Sequence, residues 1–109
     1  MRLDIGPLEA IDWAQVPATK YAGETGVATW RTVQKSDVRI RIVEYSAGYL
    51  ADHWCEKGHV IHVMKGELIT ELRDGTTFSL REGMSYTVGD KEGAHRSRTA
   101  TGATLFIVD

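Results

Sequence analysis

From Val27 onward the chain is built of short runs in which apolar and polar residues alternate, most of them closed by a pair of turn formers. In Val38-Arg39-Ile40-Arg41-Ile42 the aliphatic residues share one face of a strand and the arginines the other, because successive side chains of extended backbone point to opposite sides. That spacing predicts a core-facing side at Val38, Ile40 and Ile42 and a solvated side at Arg39 and Arg41. Read this way throughout, the pattern predicts strands over 27–34, 37–45, 49–56, 59–65, 67–73, 76–80, 84–88, 95–99 and 103–108. Lys35-Ser36, Ala47-Gly48, Lys57-Gly58, Lys65-Gly66, Asp74-Gly75, Glu82-Gly83 and Thr101-Gly102 fall between them as reversals. Asp74-Gly75 is the strongest of these signals, since a two-residue type I′ turn needs positive φ at both positions. No segment carries a helical apolar stripe. Short strands at even spacing describe an antiparallel sandwich or barrel, so the fold class is all-β. Residues 1–26 read differently, punctuated by Pro7, Pro17, Gly23 and Gly26, with a short periodic segment over Leu8–Trp13. They are expected to form an arm packed on a barrel of residues 27–109, with room for one edge strand.

Composition narrows the class. A chain of 109 residues is one domain's worth, and 42% hydrophobic with 26% charged residues is the composition of a folded globule. A domain this small has a thin core, so an added metal or partner subunit would help, and a homodimer is expected. Thirteen basic residues against fifteen acidic ones give a net charge of -2 with no basic run, which argues against a nucleic-acid partner. The opening MRLDIGPLEA shows no signal-peptide pattern, and no apolar run approaches the roughly 20 residues of a spanning helix. The sole cysteine, Cys55, can make no internal disulfide, in keeping with a reducing cytoplasm.

The chemistry-bearing residues are concentrated. Of four histidines and one cysteine, His53, Cys55, His59 and His62 lie within ten residues of one another. On a strand His53 and Cys55 share a face, Lys57-Gly58 can reverse the chain, and His59 opens the returning strand with the same parity. Imidazole nitrogen and thiolate sulfur gathered in this way suit zinc first, with iron, nickel or copper as alternatives, and His95 is the natural fourth ligand. His62 falls on the opposite face and Trp54 points away from the cluster. Trp30 is a candidate for the pocket mouth and Tyr86 for a buried phenol near it. Glu44 continues the face of Val38, Ile40 and Ile42 and is a candidate for an inward carboxylate that either hydrogen-bonds a ligating histidine or serves as a general base.

The segment Gly48 to His59, followed by Gly66, resembles the first motif of the cupins, and Gly83 to His95 is similar to their second motif. Asp52-His53-Trp54-Cys55, together with ETGVATWRT upstream and HRSRTATGA downstream, resembles the small single-domain cupins described by a DHCW motif. The resemblance covers the chain from about Val27 to the end. It implies a cupin-type β-barrel, or jelly roll, holding a divalent transition metal through His53, Cys55, His59 and His95. Cys55 stands where cupins carry their second histidine and His59 where they carry a glutamate, and the second motif lacks its proline. With the carboxylate gone, hard ions such as manganese lose ground to zinc, nickel, copper or iron. Three functional readings stay open: a metalloenzyme acting on a small polar metabolite as oxygenase, isomerase or hydrolase; a non-catalytic metal- or ligand-sensing module; and a redox-active cysteine protein. Against the last, no helix N-terminus is available to depress the thiol pKa.

Overall fold

Residues 2–109 are described by a computed structural model. The strands are β1 (Ala18–Ala22), β2 (Val27–Lys35), β3 (Val38–Tyr45), β4 (His59–Leu72), β5 (Thr77–Arg81), β6 (Ser85–Val88), β7 (His95–Arg98) and β8 (Ala103–Val108). A single 3-10 turn at Trp13–Gln15 precedes them, its first free N–H satisfied by the Asp12 side chain. All pairings are antiparallel: β1, β2, β3, β8 and β4 lie side by side in that order, with β6 along the first half of β4. The second half of β4 lies between β5 and β7. Among the described residues no helix is long and apolar enough to cross a membrane.

β4 is the element that turns two sheets into one enclosure, and it departs from the expected hairpin. The chain does not reverse at Lys65-Gly66; it runs on through 14 residues. Val63 pairs with Leu105 and Lys65 with Thr104, so Met64 is an extra residue in a bulge. The bulge changes which parity faces inward: Ile61 and Val63 are buried before it, Leu68 and Thr70 after it. Gly66 is required here, because it takes φ +79° and a β-carbon would lie 2.1 Å from the Gly102 carbonyl oxygen. The Asp74-Gly75 hairpin forms as expected, but only Gly75 takes positive φ (+91°). Gly75 N–H donates to Leu72 O and Leu72 N–H to Thr76 O, the pattern of a type I turn followed by a left-handed glycine rather than a type I′ turn.

The inner face carries Val43, Val63, Leu68 and Leu105, all fully buried. β3 is turned opposite to the expectation: Arg41 and Val43 face in, while Ile40 and Ile42 face out. The outward aliphatics have neighbours there. Ile42 pairs with Phe106, which meets Trp13 edge-on with ring centroids 6.5 Å apart. Glu9 pairs with Lys35 and β1 adds to the edge at β2, so the N-terminal residues supply apolar and polar cover on this side. The strand expected over 49–56 is not formed; the segment is coil that bends at Asp52 and His53 and is held at isolated bridges through Leu50 and Cys55.

Candidate metal centre

Three elements bring the site together. Cys55 lies in the coil between β3 and β4 and is locked opposite His95, its N–H donating to His95 O at 2.8 Å and the His95 N–H returning to Cys55 O at 2.9 Å. His59 begins β4 and His95 begins β7, both on the inner face. Donor atoms of Cys55, His59 and His95 all lie within 4.8 Å of one another.

The hydrogen bonds behind the rings determine what the cluster can hold. His95 Nδ1 lies 2.9 Å from the Gly93 carbonyl oxygen, and His59 Nδ1 lies 3.4 Å from Asp109 Oδ2. Both partners are acceptors, so each Nδ1 carries the proton and each Nε2 is left with its lone pair. Those two Nε2 atoms sit 2.8 Å apart. Two facing lone pairs need a positive centre between them, either an extra proton or a metal ion. Burial, and then the neighbouring His95, push the His59 imidazole below its usual value, which disfavours the proton. The donor set of two imidazole nitrogens and one thiol fits a divalent transition ion.

Asp109, with Arg39 and Arg41 that hold it, is what sequence reasoning missed at this site. The Asp109 side chain is fully buried and takes hydrogen bonds from Arg39 Nε and Nη2 and from Arg41 Nη2. Burial alone would raise its carboxyl, but the Arg39 hydrogen bonds and the charges of Arg41 and Arg39 outweigh it and hold the group below the usual carboxylate range. A signal was available, since Asp109 falls on the same alternating face as Leu105 and Ile107.

A cavity of about 110 Å³ opens beside the cluster, lined by Cys55, His59 and His95 together with Trp30, Arg41, His53 and Tyr86. Trp30 and Tyr86, expected at a pocket, line this one, and Tyr86 Oη lies 3.3 Å from His59 Nε2. Burial raises the Tyr86 phenol, which keeps its proton. His53 lines the cavity but stands outside the donor group; its Nδ1 pairs with Asp52 Oδ1 at 2.8 Å and its side chain is 69% exposed. The parity that joined His53 to Cys55 assumed a pleated strand, and the segment is coil. Glu44 is corrected: it faces solvent on the outer side of β3, 3.9 Å from Arg31, and cannot reach the cavity. A second, mainly apolar cavity of about 360 Å³ runs under β5 and β6 and shares His95 and Tyr86 with the first.

No protein-family model matches this chain, and no curated protein matches it in sequence. Its structure matches solved ones. An RmlC-like cupin from Shewanella frigidimarina superposes with TM-score 0.73 at 18% identity, over 94% of this chain and 89% of that one. Ectoine synthase from P. lautus gives 0.74 at 15% identity, over 93% and 76%. The polyketide cyclase RemF from Streptomyces resistomycificus gives 0.74 at 18% identity, over 94% and 78%. At such identities the likeness carries architecture and not activity. Taken with the antiparallel strands that enclose a His/Cys cluster, it establishes that this chain has the cupin fold.

Proposed function

We propose that the protein is a metal-binding cupin that acts on a small polar molecule inside its barrel, with Cys55, His59 and His95 as the protein's ligands to a divalent transition metal. The observation that carries this reading is the pair of Nε2 atoms 2.8 Å apart, both turned inward by acceptors behind their rings. Three protein ligands rather than four favour an active centre over a purely structural one, because catalytic zinc sites keep a position free and structural sites close it. The ion would supply Lewis acidity toward a polar group of a ligand in the cavity. Asp109 and Gly93 O orient the two rings, Tyr86 holds a proton beside His59, and Trp30 forms a flat apolar wall. A cavity of about 110 Å³ excludes polymers and admits molecules of a few heavy atoms. A sensing role without turnover is the second reading, favoured by the engagement of Asp109, the buried carboxylate at the cavity, with Arg39 and Arg41.

The test is metal analysis of the purified protein, followed by cobalt(II) loading. One equivalent of metal and a thiolate-to-cobalt charge-transfer band that Cys55→Ser removes are expected. Cobalt spectra that ignore Cys55→Ser and His59→Ala alike would end the proposal. Pairing of two chains also belongs to this reading: Val60 and Met64 on the outer face of β4 are 50% and 40% exposed. Light scattering is expected to return twice the mass of one chain.

A further inference from the structure

The face that β5 turns toward the barrel interior is only half covered. Leu80 pairs with Leu68 and is 3% exposed, part of the core. Phe78 lies two residues away on the same face, opposite Thr70, and is 54% exposed. A large aromatic on an inward face normally meets other side chains; this one borders the cavity of about 360 Å³ under β5 and β6. β6 adds Met84, Tyr86 and Val88 to the lining, and the chain entering β7 adds Gly93 and His95. Close-packed interiors leave few voids larger than a water molecule, whereas small-molecule sites start at about 300 Å³, so the space has the size of a ligand site.

The lining states what kind of ligand. It is aliphatic and aromatic apart from threonine and serine hydroxyls. Its one carboxylate, Glu92, is exposed, and among the described residues no lysine or arginine lines the cavity. A carboxylate seated there would lose water with no cation to receive it, while an uncharged apolar body gains by burial alone. An apolar cavity of ~150 Å³ holds benzene, so about 360 Å³ holds a ring with a short chain, about nine carbons. The cavity also adjoins the metal centre: Tyr86 and His95 line both cavities, and Tyr86 Oη lies 3.3 Å from His59 Nε2. A molecule held here by its apolar body brings its other end to the Tyr86 hydroxyl.

We infer that this cavity seats the apolar body of the protein's ligand, an uncharged arylalkyl alcohol or a related molecule, whose polar end meets Tyr86 beside Cys55, His59 and His95. Only that polar end then has to fit the smaller cavity of about 110 Å³. The inference rests on the metal-centre reading for the polar end, and on the lining of the larger cavity alone for the apolar body.

The experiment is calorimetry on chelator-stripped protein with 3-phenylpropan-1-ol, propan-1-ol and 3-phenylpropanoate, followed by visible spectroscopy of cobalt(II)-loaded protein. On stripped protein 3-phenylpropan-1-ol is expected to bind at least about tenfold more tightly than propan-1-ol, because its ring is buried, and at least about fivefold more tightly than the acid. Phe78→Glu, at an exposed position, is expected to lower that affinity at least about fivefold and to leave cobalt uptake within about twofold of wild type. The cobalt bands are expected to shift when 3-phenylpropan-1-ol saturates the loaded protein, and to stay in place with propan-1-ol at the same concentration. Equal binding of the two alcohols, an acid that binds as tightly as the arylalkyl alcohol, or a Phe78→Glu variant that binds as wild type does overturns the inference and leaves the metal centre standing. Bands that do not move on saturation also overturn it, since the polar end is then elsewhere. Protein that takes up no cobalt yet keeps its preference for 3-phenylpropan-1-ol overturns the metal centre and leaves the apolar site standing. The comparison of the three probes uses wild type alone, so it holds whatever the variant does to folding.

Discussion

Each imidazole of the centre is aimed by the acceptor behind it, and the two acceptors differ in kind. Gly93 O is backbone and beyond the reach of substitution, whereas Asp109 is a side chain held by two arginines. Asp109→Asn is therefore expected to weaken zinc binding by about 10–100-fold, as losses of carboxylate–histidine contacts behind a metal do, read by competition with a chromogenic chelator. His59 also couples stability to pH. In metal-free protein its imidazole resists protonation because of burial and of His95, so the unfolded chain takes up that proton first as pH falls below about 6.5. The unfolded state then holds more protons than the native one, and stability present above that pH is lost on acidification. Urea melts of stripped protein are expected to show a lower midpoint at about pH 5.5 than at about pH 7.5, with a smaller drop in His59→Gln. Cys55 and His59 were legible in the sequence from their donor types at short spacing, and His95 from its place in the segment similar to the second cupin motif. Arg41 was not, because a buried arginine alternates with aliphatics just as a solvated one does.

Among the elements, β4 decides how the two sheets meet. A reversal and a bulge both interrupt alternation, and both favour glycine, so Lys65-Gly66 reads as a turn when it is a bend in a continuous strand. Substitution separates the two. Gly66→Ala meets both a positive φ and the Gly102 carbonyl, and is expected to cost more than about 3 kcal/mol in urea unfolding. Gly75→Ala has positive φ but open space around it, and is expected to cost about 1–2 kcal/mol. Equal losses at the two positions would mean that the close approach of Gly102 to β4 is not rigid. The segment over 49–56 failed as a strand for a related reason. Its backbone is satisfied one bridge at a time, at Leu50 and Cys55, which leaves His53 free to turn outward.

At the scale of the whole molecule, a metal held by three separate parts of the chain is a cross-link that the unfolded state lacks. With free zinc about a hundredfold above its dissociation constant, binding would add about 2.7 kcal/mol, on the order of 10 °C in Tm for a domain of this size. A scan with and without chelator checks it, and a shift under about 2 °C at that ratio would count against a folding-linked site. Alternation, turn chemistry and the His/Cys spacing by themselves determined an antiparallel all-β enclosure and a candidate donor set of His53, Cys55, His59 and His95, of which the structure brings the last three together. Which face of β3 looks inward, where Glu44 points, and that Arg39, Arg41 and Asp109 meet behind His59 were decided only by the tertiary structure. Parity tells which residues share a face, but which face is inner depends on what each sheet packs against, and here the N-terminal residues help cover the side that the aliphatics of β3 occupy.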